Sequence, residues 1–376
     1  MLSRITSILL ILFISFACTE QFRFDTDLET SFLIVDGRIT NEECPYEVRL
    51  FRTKKTGTHH SLKPEVVAEE EAIISIYDDE GNSDSFMESS PGIYHNMTSS
   101  FRGIIGRSYW IEIQTSDGKK YESMPEVIPD EIIIEKIYGE ETKLIQDGGK
   151  YLKGAELYID AKSPSSQSHC MRWEYQESWE WHAPFTLPKI NYQSTICYPH
   201  KASNNISIFD GSKQSKMEFK HLSTRFINEN EAKLNYQYLL NVSLYSISPE
   251  NYQFWENMKK SSQESGKLYD VIPANPKGNI SSCEDDDSVT GYFEASSVNT
   301  KTQIFSIEDF DIDFTEEIKE CEKFEISLSN GIPDENIYHI IESYPSGGAN
   351  TVFVVRYNYC YDCNVKYSPQ KPSFWP

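Results

Sequence analysis

The chain has 376 residues, enough for two or three domains with real cores, and it carries 35 basic against 58 acidic side chains for a formal charge of -23. So negative a surface repels phosphate backbones, which excludes nucleic acid as a natural partner and leaves a solvated acidic exterior as the plain meaning of the charge. With 23 Tyr, 20 Phe and 6 Trp among short runs rich in Val, Ile and Thr, the composition is that of a β-rich globular protein, not a disordered one.

Residues 1–17 read as a targeting segment: Arg4 is its positive start, and Ile8 to Phe16 is almost wholly apolar but short for a bilayer span. The run ends Ser15-Phe16-Ala17-Cys18, a small residue directly before a cysteine, as in a bacterial lipobox with Ser15 where that pattern prefers Leu. The expectation is a lipoprotein signal peptide at 1–17, lipidation at Cys18, and a polar tether over 18–30. Several acyl chains on one cysteine, at about 0.8 kcal/mol per buried methylene, make a durable anchor. Export also permits disulfides. Seven cysteines remain (Cys44, Cys170, Cys197, Cys283, Cys321, Cys360 and Cys363), an odd number, so at least one thiol is left over.

From Phe32 the chain falls into short alternating runs. Strands are expected at Phe32–Ile39, Tyr46–Arg52, Ala72–Tyr77 and Ser85–Glu88, and another begins at Pro91-Gly92-Ile93-Tyr94. Tyr109–Thr115 and Lys119–Ser123 make a hairpin around Ser116-Asp117-Gly118. This density of strands and turns predicts an N-terminal immunoglobulin/transthyretin-like β-sandwich over 31–126. His59 and His60 sit in a basic loop and read as solvated, since a metal site needs further convergent ligands.

Prolines 125 and 129 mark a boundary, and 130–376 is expected to be a larger β-rich domain. Strands are expected near Glu131–Tyr138, Ala155–Ala161, Ser203–Phe209 and Lys216–Phe226. In Cys170–Trp181, alternation puts Arg172, Glu174, Gln176 and Ser178 on one face and Met171, Trp173, Tyr175 and Glu177 on the other, with Trp179 and Trp181 continuing the second. Stacked aromatics beside acids could serve as a sugar or cation platform, but a sheet core is the commoner use of such a pattern.

Leu239–Ser246 alternates like a half-buried strand, and a helix is expected at 249–265. Ser248 suits its N-cap, Pro249 its first position and Glu250 its positive end. Tyr252, Trp255 and Met258, with Phe254 beside them, form its apolar face and should be buried. Val289–Ala295 returns as a strand. Cys283 and the acids after it read as a solvated turn. Asp309, Asp311 and Asp313 alternate with Phe310, Ile312 and Phe314 as the acid face of a strand. Val352–Asn358 is a last strand, followed by Cys360-Tyr-Asp-Cys363. That C-x-x-C lacks the histidines of a zinc site and the strand-to-helix setting of a redox motif, so it reads as structural, with one cysteine bridged to Cys321 or another distant partner.

No G-x-S-x-G, H-E-x-x-H, Walker or G-x-G-x-x-G motif occurs, and no cofactor, metal or catalytic residue is expected. Taken together, LIVDGRITNEECPYEVRL (33–50), IYDDEGN (76–82), RWEYQESWEW (172–181), SPENYQFWENMKKSSQESGKLYD (248–270), GYFEASS (291–297) and the closing C-x-x-C with KPSFW (371–375) resemble the Bacteroidota lipoprotein family known as domain of unknown function 4249. That resemblance implies an outer-membrane lipoprotein commonly encoded near TonB-dependent transporters, and no established activity. The resulting expectation is a non-enzymatic binding or accessory partner of such a transporter, exposed at the cell surface. The contact candidates are Trp179, Trp181, Phe374 and Trp375, because Trp dominates interface hot spots. A structural envelope component is the first alternative. A surface glycan hydrolase, with a carboxylate pair flanked by Trp173 and Trp179, is the second.

Overall fold

In the computed structural model, the residues described are 31–54, 65–145, 149–166, 168–187, 194–214, 216–264, 277–283, 288–311, 321–346 and 351–375. The expected signal peptide and tether, Cys18, His59, His60, the acids after Cys283, and Asp313 lie outside them. The fold is mainly β, with one α-helix among the described residues.

The longest strand, Ser288–Phe305, organises the rest. Its first half runs parallel to Phe32–Thr40, from Phe32 opposite Ser288 to Thr40 opposite Ser296. Its second half runs antiparallel to Tyr238–Ser246, from Ser297 opposite Ser246 to Phe305 opposite Tyr238. One continuous sheet therefore extends on both sides of it. On one side lie Tyr238–Ser246, Cys170–Trp179 and His200–Ala202. On the other lie Phe32–Thr40, Glu47–Lys54, Ile93–Asn96, Ser83–Ser90, Ile73–Asp78, Ser108–Gln114, Lys120–Ser123 and Ile280–Ser282.

The N-terminal arm folds back on itself: Leu33, Val35 and Ile39 share a core with Ile74, Ile76, Ile111 and Ile113 from strands far along the path. That is a β-sandwich, as the strand spacing implies, but it is not closed at residue 126. Ile280–Ser282 adds to Lys120–Ser123, and Phe293 and Ala295 fill its core. The 31–126 boundary therefore leaves out strands that arrive from the C-terminal half. Gly291 permits their close approach: its φ is +111°, and a Cβ there would lie 1.8 Å from the Val35 carbonyl oxygen.

A second layer, Ile133–Ile145, Tyr151–Lys162 and Glu218–Asn228, covers the other arm. Its Ile134, Leu157, Ile159 and Phe219 pack on Leu240, Val242 and Leu244. A third sheet, Phe324–Ser327, Thr351–Tyr357 and Tyr338–Pro345, carries the C-terminal part. The expected strand around residues 309–313 is not present among its described residues. Ile307–Asp309 is a single 3-10 turn, with Asp309 Oδ2 accepting from the Ser306 N–H at 2.7 Å. Phe310 packs against the second core instead of alternating with acids.

Candidate functional site

The helix Pro249–Glu264 lies over the sheet where Cys170–Trp179 and Ser288–Phe305 approach it. Ser248 caps it: the Asn251 N–H donates to Ser248 Oγ at 3.1 Å. The buried face is Asn251 and Phe254, with Phe254 against Tyr292 at 4.9 Å between ring centroids. This corrects the expected face, because Tyr252, Trp255 and Met258 are only half-buried. The reason is that the sheet beneath Trp255 is charged, not apolar.

That charged patch is built by strand register. Arg172 stands opposite Tyr245, and Arg38 opposite Glu294. Arg172 grips Glu294 with two parallel bonds, Nε to Oε2 at 2.9 Å and Nη2 to Oε1 at 3.0 Å, and also donates to Glu174. Arg38 adds its charge 3.7 Å from Glu174 and 3.9 Å from Glu294. Both guanidinium groups lie 4.4 Å from the centre of the Tyr245 ring. Trp255 closes the top, its Nε1 donating to Glu294 Oε2 at 3.3 Å and its ring 4.9 Å from the Arg172 guanidinium. Burial alone would raise the Glu294 pKa, but Arg172 and Arg38 outweigh it and hold the carboxyl at about 2.

Two of the other buried carboxylates are Glu126 and Glu177. Glu126 accepts from Tyr292 and from Ser248 Oγ at 3.0 Å, and burial raises its pKa to about 7 despite those bonds. Glu177 receives Arg225 at 2.9 Å, Lys233 at 2.7 Å and the Tyr238 hydroxyl at 2.6 Å. Burial would lift its pKa, yet Lys233 and Arg225 bring it below the ordinary value. Each carboxylate is held by its own neighbours, Glu126 by hydroxyl groups and Glu177 by two cations and a hydroxyl.

Beside the helix opens a cleft of about 590 Å³ lined by His169, Cys170, Asp210, Lys213, Tyr252 and Glu256. Cys170 and Asp210 face each other across an antiparallel pair, with Sγ 3.9 Å from Oδ1. His169 Nε2 lies 3.9 Å from the same oxygen. Burial, then Asp210, pushes the Cys170 thiol up to about 12. Sequence spacing did not disclose this group, because Asp210 reaches Cys170 only through strand pairing.

The aromatic candidates are spread apart. Trp173 is buried in the second core, and the half-buried Trp179 ring is covered by the Lys233 ammonium at 4.4 Å. That rules out an open Trp173/Trp179 platform. Trp181 is buried with Tyr359 and Tyr367, and Trp375 is buried against Tyr198 at 5.0 Å. Of the contact candidates, Trp181 and Trp375 lie buried in local core, while Trp179 and Phe374 keep partial exposure. The C-x-x-C is structural, as read. Cys360 bonds Cys321 and Cys363 bonds Cys197, which leaves Cys44, Cys170 and Cys283 as free thiols among the described residues.

A family model described as "Domain of unknown function (DUF4249)" matches residues 19–302. The chain belongs to this family. The match takes in nearly all of Ser288–Phe305 and both layers that it joins. The disulfide-tied sheet of 324–357 lies beyond it. No curated protein matches the chain.

Proposed function

We propose that this DUF4249 member is a lipid-anchored protein of the outer membrane that binds a partner instead of performing chemistry, and that the partner is a TonB-dependent transporter. The observation that carries the reading is how the charged groups are spent. Glu294 and Glu177, the most deeply buried ionised carboxylates, are neutralised by Arg172, Arg225 and Lys233. At the same time the C-terminal part leaves Ile332, Ile337, Ile341 and Tyr344 exposed. Ile341 and Tyr344 lie on Tyr338–Pro345, a strand at the edge of its sheet among the described residues, where open backbone groups and apolar side chains together suit a docking strand. An acyl tether at Cys18 would confine both partners to two dimensions, so a modest interface would suffice.

Two experiments test the anchor and the lack of chemistry separately. Palmitate labelling and membrane fractionation of wild type and Cys18→Ala should show label and membrane retention in the first only. Equal labelling in both would remove the anchor. Purified protein offered a glycan and a peptide library should turn over neither, and turnover would favour the hydrolase alternative.

A further inference from the structure

We propose that His169, Cys170 and Asp210 form a zinc(II) site whose fourth position opens onto the cleft beside the helix. Among the described residues this is the set of three His, Cys, Asp or Glu side chains whose donor atoms converge, all within 4.8 Å of one another. Donors held about 2.0–2.3 Å from one tetrahedral ion sit roughly 3.3–3.8 Å apart. The two separations to Asp210 Oδ1 are 3.9 Å, close to that range, and the third lies within 4.8 Å, so closing on a metal takes an inward movement of at most about 1 Å.

The donors are aimed by the fold. Cys170 opens the strand Cys170–Trp179 and Asp210 closes Ser207–Asp210, and their pairing in register puts both side chains on one face. The Gly211 N–H donates to the His169 carbonyl at 2.9 Å and ties the histidine backbone to the same pair of strands. His169 Nδ1 lies 3.3 Å from the Ser166 carbonyl. A proton on Nδ1 would satisfy that oxygen and leave the Nε2 lone pair facing Asp210, the usual support for a metal-bound histidine. Asp210 is oriented by Ser212, whose N–H donates to Oδ1 at 2.8 Å and whose hydroxyl donates to Oδ2 at 2.9 Å.

The donor chemistry selects the metal. One thiolate, one imidazole and one carboxylate suit zinc, whereas calcium and magnesium take oxygen only. A thiolate and a carboxylate also neutralise the dication, so the buried cysteine need not hold net charge. On binding, the Cys170 proton leaves to solvent and the Zn–S bond forms in its place. Among the described residues the other free thiols lack such company: Cys44 Sγ donates to the Phe101 carbonyl at 2.8 Å, and Cys283 is exposed. Three protein ligands leave one tetrahedral position for water or a Lewis-basic ligand, and Tyr252 and Glu256 line the space where it would enter.

The test is titration of metal-free, disulfide-intact protein with zinc by calorimetry and with cobalt(II) by absorption. Wild type should take up one equivalent of zinc and show a thiolate-to-cobalt charge-transfer band. Cys170→Ser should lose the band, His169→Gln should bind at least about tenfold more weakly, and Cys283→Ser should match wild type. Circular dichroism checks each variant, and Asp210→Asn, which keeps an acceptor for Ser212, replaces any that fails to fold. No saturable uptake by wild type overturns the site. So does uptake that survives both Cys170→Ser and His169→Gln, or that vanishes in Cys283→Ser.

Discussion

Replacing Arg172 with methionine perturbs the charged patch at its centre. The stem volume is kept, but Glu294 loses both bonds of its two-point grip, and Tyr245 and Trp255 lose the guanidinium between them. Two routes set the magnitude. A Glu294 carboxyl held at about 2 against an ordinary 4.5 reflects a stabilisation of about 3 kcal/mol, at about 1.36 kcal/mol per unit. Breaking a buried pair by removing one partner typically costs about 3–5 kcal/mol, because the other charge is stranded. Arg38, 3.9 Å from Glu294, remains to compensate in part, so the loss belongs near about 3 kcal/mol. The assay is urea unfolding at neutral pH of wild type, Arg172→Met, Glu294→Gln and the double variant. The double variant should recover much of the loss, since Glu294→Gln removes the charge that Arg172→Met strands. The pH dependence supplies a sign. A depressed carboxyl stabilises above about 4.5, and that contribution fades as pH falls toward about 2, so wild type should lose stability in acid more steeply than Glu294→Gln. If Arg172→Met costs under about 1 kcal/mol and couples to Glu294→Gln by less than that, the patch is not a buried ion pair and the reasoning fails.

Glu126 should behave with the opposite sign. Its pKa is raised to about 7, so its contribution is full below about 4.5 and is lost as pH rises through about 7. Glu126→Gln should therefore be the more stable form at pH about 8 relative to its standing at pH about 5, and parallel stability–pH curves would refute this. Phe254→Ala should cost about 3–5 kcal/mol by melting and Trp255→Ala clearly less, because only the first ring is buried; the reverse order would restore the face expected from sequence. The Cys197–Cys363 bridge closes a 166-residue separation, so Cys363→Ser should lower stability by about 2–5 kcal/mol, and an unchanged melting temperature would show that the C-terminal part holds without it.

Local signals carried the strands with one wet face. Ile73–Asp78 and Ser108–Gln114 alternate cleanly because one side of each meets the core, and their bounds in the structure fall close to the runs read from sequence. The helix start was legible because Ser248 and Pro249 act within one turn. Its buried face was not. That depends on whether the sheet below offers Tyr292 or Arg172, and no helical period reports what lies underneath. Tyr338–Pro345 escaped notice since an edge strand exposed on both sides has no reason to alternate. The parallel pairing of Phe32–Thr40 with Ser288–Ser296, and the meeting of Cys170 with Asp210, are register facts between distant segments. A single sequence holds the partners but not the alignment that joins them.

The most direct test of partner binding is affinity purification of the full-length protein from membranes in mild detergent, wild type beside Cys18→Ala. The account predicts that a TonB-dependent transporter co-purifies with wild type in near-stoichiometric yield and is strongly depleted with the unanchored variant. Recovery of wild type with no membrane partner, or equal recovery of the transporter by both forms, would contradict it.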